Sequence, residues 1–134
     1  MRKQKPTDSV SPTPPAETEA VRWVNQLLLR AIKDRASDVH IDPTQDGFTV
    51  GFQTDGGLHT VVPAQQELQS EIVSRIKTIS GISVDEEQVP QEGRYAAIVD
   101  GRKVAFRVST LTVPYGEAVV VRVVDHMREN GYNQ

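Results

Sequence analysis

Two arginines near the C-terminal end have the types and spacing that best suit chemistry. In RKVAFRVST, Val104, Phe106 and Val108 fall on one side of an extended chain, and Ala105, Arg107 and Ser109 fall on the other. In EAVVVRVV, Val119, Val121 and Val123 separate in the same way from Ala118, Val120, Arg122 and Val124. Burying an unpaired guanidinium beside Phe106 costs roughly several kcal/mol, so the two valine faces must form the shared core face. A turn near Pro114-Tyr115 then places Arg107 opposite Arg122, or close to it, on the exposed face. Adjacent guanidinium groups repel until an acidic neighbour or an anionic ligand relieves them. Arginine's planar fork matches phosphate. Spacing alone favours the plainer alternative, two solvated arginines with carboxylate partners.

Other constellations are thinner. Asp38, His40 and Asp42 point to one side of a short extended run, a spacing that offers oxygen and nitrogen donors to a metal. No further His or Glu is clearly aimed there, so a half-buried His40 hydrogen-bonded within the fold is the favoured reading and no metal site is assigned. Ser37 has no base oriented toward its hydroxyl and reads as a turn or cap residue. Arg94 and Arg102, in Gly93-Arg94 and Gly101-Arg102, are additional candidates for anion contact, although such pairs mostly mark hairpin geometry. Asp85-Glu86-Glu87 reads as a solvated loop. No GxxxxGK[ST] phosphate loop occurs in the 134 residues, so hydrolysis of ATP by this chain alone is not expected.

The elements that position these residues follow from periodicity. Residues 1–17 hold four of the prolines and one large aliphatic residue, Val10, and read as a linker or disordered tail. From Thr18, a candidate N-cap, to Arg35, Val21, Val24, Leu28 and Ile32 recur at helical spacing, with Leu27 and Ala31 beside them. Trp23 lies off that stripe and either covers the core rim or meets another segment. Period-two runs follow at 38–42, around Phe48, Val50 and Phe52, and at 58–62, with Asp55-Gly56-Gly57 as a tight turn and Pro43 as a stop. Pro63 opens a second helix with Leu68, Ile72, Ile76 and Ile79 on its buried stripe and Gly81 past its end. After a mobile acidic loop over 83–92 come three more strands, about 95–99, 103–111 and 118–124, then a polar tail over 126–134. Helix, three strands, helix, three strands, joined by short turns, is an α+β fold with a mostly antiparallel sheet of about six strands and two main helices.

Composition limits the function. Hydrophobic residues at 37%, charged residues at 25% and a net charge of −3 describe an ordinary globular domain, and they argue against a general nucleic-acid or anionic-membrane binder. The chain has no cysteine, which excludes disulfides and thiolate zinc sites. No apolar run approaches the ~18 residues of a membrane span, so direct membrane insertion is not expected and the cytoplasm is the default location.

The strings VNQLLLRAIKDRASDVHIDP, TDGGLHTV, IVSRIKTISGISV, VPQEGR and GRKVAFRVSTLTVPYGEAVVVRVVD, in that order, resemble the domain just upstream of the motor in type II secretion and type IV pilus assembly ATPases. The match runs from Ala20 to Asp125, within a domain spanning 18–125. The resemblance implies a PAS-like sheet in a hexameric ring, closing over ATP and Mg held by a neighbouring RecA-like motor domain. It implies partners among neighbouring subunits and inner-membrane secretion or pilus platform proteins, hence a place peripheral to the inner membrane. It also implies that Arg107, in FRVST, and Arg122, in VVVRVV, approach the phosphates. The chain departs from the family pattern at Gly51 and Gln53, at Glu87 and Gln88, and at Ala118, where arginines are frequent. These departures bear on oligomer contacts and coupling. A free-standing PAS-like interaction module without nucleotide is the alternative, and a small-ligand or metal sensor built on Asp38, His40 and Asp42 is a third.

Overall fold

The computed structural model describes residues 18–61 and 66–125; the tails expected over 1–17 and 126–134, and the helix start expected at Pro63, lie outside the described residues. Helix α1 (Glu19–Lys33) begins where Thr18 Oγ1 accepts the Val21 N–H at 3.2 Å. This N-cap satisfies one of the free donors of the first turn. Val24, Leu27, Leu28, Ala31 and Ile32 form its buried stripe, joined by Ala20 while Val21 is only half-buried. Trp23 covers the rim of the core: it is half-buried there, and its ring packs edge-on against Phe48 with centroids 6.0 Å apart.

Strands β1 (Asp38–Thr44), β2 (Gly47–Thr54) and β3 (Gly57–Val61) form one meander. A short 3-10 turn, Gln66–Leu68, leads into helix α2 (Gln69–Ile79). Strands β4 (Gln91–Val99), β5 (Arg102–Val113) and β6 (Gly116–Asp125) form the second meander. One six-stranded sheet results, in the order β3-β2-β1-β6-β5-β4, with every neighbouring pair antiparallel. The first strand of the first meander thus pairs with the last strand of the second. The observed architecture is the α+β one.

Both helices cover one face of this sheet, and a single core runs between them. It includes Val24, Ile72 and Ile76 from the helices and Val39, Phe106 and Val121 from the strands. On β5 and β6 the valine faces meet as their parity demands, Phe106 opposite Val123 and Val108 opposite Val121. Burying them removes water from apolar surface at about 25 cal/mol per Å².

Three local expectations change. Pro43 does not stop β1, which continues to Thr44; the β1–β6 pairing ends at Ile41, so the proline's missing N–H is not needed there. Gly93 sits inside β4 and not in a turn: a Cβ there would overlap the Ser80 carbonyl oxygen and Ile82, which lie against the strand. The segment after α2 is pinned rather than loose. Glu86 O accepts from Lys77 Nζ at 3.1 Å and from Gln91 Nε2 at 3.0 Å, and Thr112 Oγ1 donates to Glu87 O at 2.8 Å.

Candidate functional site

The face of the sheet away from the helices carries the arginines. The turn at Pro114-Tyr115 takes two residues, Val113 pairs with Gly116, and the register that follows sets Arg107 directly opposite Arg122. Arg94 of β4 stands opposite Arg107, and Asp38 of β1 stands opposite Arg122. One row across four strands therefore reads Asp38, Arg122, Arg107, Arg94. Three arginines face one aspartate along it. Cross-strand neighbours at such positions have Cβ atoms about 5 Å apart, close enough for like charges to raise each other's energy.

Asp38 relieves part of that repulsion. Its Oδ1 accepts from Arg122 Nε at 3.2 Å, and the pair is uneven in exposure, 15% for the Asp38 side chain and 64% for Arg122. Among the described residues, the counter-ion of Arg107 is the distant Glu92, with Nη2 and Oε1 4.0 Å apart and both side chains exposed. Between the two arginines lies a notch of about 170 Å³ lined by Asp38, Arg107, Ser109, Val120 and Arg122. A notch of this size has room for a phosphate group. Guanidinium forks and a hydroxyl are donors suited to a phosphate oxygen.

Arg94 belongs to this row, whereas Arg102 does not. Arg102 pairs with Val99 and shares the parity of the buried Val104 and Phe106, which places it on the helix-covered side. His40 is half-buried on the open face, yet among the described residues no hydrogen bond to its ring is found. Asp38 is engaged by Arg122 and by Ser37, whose Oγ donates to Asp38 Oδ2 at 2.9 Å. Among the described residues no group of three or more His, Cys, Asp and Glu side chains gathers to hold a metal.

The motif strings that suggested a secretion ATPase domain now have external support. A family model described as "Type II/IV secretion system protein" matches residues 16–132. The chain belongs to this family. The type II secretion system protein E of Pectobacterium carotovorum subsp. carotovorum is 43% identical over 105 residues, covering 78% of this chain and 21% of that protein. The type IV pilus assembly ATPase PilB of Pseudomonas aeruginosa is 40% identical over 110 residues, covering 81% of this chain and 19% of that protein. The chain thus spans about a fifth of the length of these relatives and matches part of secretion ATPases. No helix among the described residues is long and apolar enough to cross a membrane.

Sequence reasoning missed a second charged pair. Lys77 Nζ lies 2.6 Å from Glu117 Oε1, with 2% and 10% of the two side chains exposed. A signal existed: Glu117 shares the parity of Val119 and Val121, the core face of β6, where a charge requires a buried partner.

Proposed function

We propose that this chain is the non-motor domain of a type II secretion or type IV pilus assembly ATPase and that it presents Arg107 and Arg122 to the phosphates of ATP held by a RecA-like motor domain. The observation that carries the reading is the register placing both guanidinium groups side by side on the uncovered face, lining one notch. Their mutual repulsion is a standing cost that an incoming phosphate turns into attraction. Arg94 extends the same row and adds long-range pull on the anion.

The donor set fits a phosphate group and nothing more of the nucleotide. Magnesium, the phosphate loop and the water-activating groups belong to the motor in this reading, and ATP supplies the phosphoryl group that is transferred to water. What this chain's residues do is hold charge against the phosphates: developing charge on a transferring phosphoryl group is stabilised by fixed cations. Neighbouring subunits of a hexamer and inner-membrane platform proteins complete the assembly, on its cytoplasmic side. Alone, the chain does not hydrolyse ATP.

Joining residues 18–125 to the motor domain of the Klebsiella pneumoniae type II secretion system protein E, 40% identical to this chain over 105 residues, gives the test. Arg107→Ala and Arg122→Ala should each lower ATP turnover by about tenfold or more, the usual consequence of losing such a contact. Turnover indifferent to both substitutions would leave the interaction module without nucleotide as the better reading.

A further inference from the structure

The two arginines of the notch are held differently, and the difference assigns a task to Asp38. Asp38 is mostly buried, and its two oxygens face two partners: Oδ1 accepts from Arg122 Nε, and Oδ2 accepts from Ser37 Oγ. Ser37 is itself fixed by backbone hydrogen bonds to both neighbouring strands. Its N–H donates to Gln53 O at 2.8 Å, its carbonyl accepts from Val123 N at 2.9 Å, and its hydroxyl lies 3.3 Å from Gln53 O. The orientation of the carboxylate is therefore inherited from the centre of the sheet. A guanidinium offers two bidentate edges, one formed by Nε with an adjacent Nη and one formed by the two Nη groups. Engaging Nε commits the first edge to Asp38 and leaves the second for a ligand.

We infer that Asp38, braced by Ser37, is a positioning residue that aims the terminal edge of Arg122 at the phosphate. This rests on the phosphate reading of the notch given above. Arg107, whose counter-ion among the described residues is the exposed Glu92 at 4.0 Å, contributes charge without a fixed direction. Asp38 also lowers the positive field of the row. Removing its charge therefore strengthens general attraction for anions while it releases the geometry, two effects of opposite sign that a purely structural role does not produce.

The test uses the isolated chain, isotope-labelled so that arginine side-chain signals are followed by NMR, with inorganic tripolyphosphate as the probe. In the unmodified chain the Arg122 Nε–H exchanges slowly with water, and tripolyphosphate shifts the Arg122 Nη signals far more than Nε. In Asp38→Asn that exchange speeds up by about tenfold, the scale of a lost charge-assisted hydrogen bond. Tripolyphosphate then shifts Nε as well, with a dissociation constant unchanged or tighter, and Ser37→Ala gives an intermediate exchange rate should Asp38→Asn fold poorly. An Nε–H indifferent to both substitutions, with Arg107 and Arg122 still responding to tripolyphosphate, overturns the aiming role and leaves the anion site standing. So does a shift of Nε equal to that of Nη in the unmodified chain. Tripolyphosphate that moves neither Arg107 nor Arg122 in any variant overturns the anion site, and this inference with it.

Discussion

Two ion pairs of similar chemistry sit on opposite sides of the same sheet. Lys77 and Glu117 meet at 2.6 Å on the helix-covered side, almost out of contact with water, and Lys77 also donates to Glu86 O. Arg122 and Asp38 meet at 3.2 Å on the open side, with the arginine mostly exposed. Sealing a charge makes it part of the structure, because it has nowhere to go that does not leave its partner buried and alone. An exposed guanidinium adds little to stability, since water and ions replace much of what it loses. One pair holds α2, the acidic segment and the start of β6 together. The other leaves a guanidinium exposed on the open face.

The largest effect expected from this contrast is on the sealed side. Lys77→Ala should destabilise the domain by about 3–5 kcal/mol, because Glu117 is left as an uncompensated buried charge. Urea unfolding would show it as a lower midpoint. Replacing both partners together, Lys77→Met with Glu117→Leu, should recover most of that loss, since a buried pair can often be exchanged for packed apolar groups. A double variant as unstable as the single one would mean that the pair itself, and not the orphaned charge, carries the stability.

Next in size is Gly93→Ala on the same side, where the added methyl would overlap the Ser80 carbonyl oxygen and Ile82. Overpacking of this kind costs about 1–3 kcal/mol. Thermal unfolding at unchanged activation of a joined motor would separate this packing effect from any effect on the arginine row. A neutral substitution would show that the segment after α2 yields more easily than its hydrogen bonds suggest.

The smallest effects belong to the open side. Arg107→Ala should change stability by less than about 1 kcal/mol, as exposed charges usually do, and Arg122→Ala by about 1 kcal/mol, because Asp38 keeps the Ser37 hydroxyl as a partner. Their calorimetric melting temperatures should stay within a few degrees of the unmodified chain's, by roughly the scale expected for a domain of this size. Marked unfolding of either variant would erase the distinction between the two sides.

How much of this was readable beforehand differs between the two pairs. The Arg107–Arg122 neighbourhood was legible because a two-residue turn and period-two alternation leave little freedom of register, and a one-residue slip would have put Arg122 into the core. Lys77 was not, since one lysine beside a helical apolar stripe looks the same whether its ammonium reaches water or a buried carboxylate. Gly93 reads as a turn glycine along the chain, because the close approach of the Ser80 carbonyl is a tertiary contact with no local signal.

The sequence by itself determined the order of elements, the faces of each strand and the local hairpin that joins Arg107 to Arg122, because these depend on contacts between near neighbours and on keeping charge out of an apolar core. The motif strings also determined family membership. Only the tertiary structure decided that β1 lies beside β6, and so that Asp38 meets Arg122 across 84 residues of chain. It likewise decided that Arg94 joins the row and Arg102 does not. The physical reason is that pairing between distant strands is chosen by the packing of the whole core, in which both helices and both meanders share one set of buried side chains.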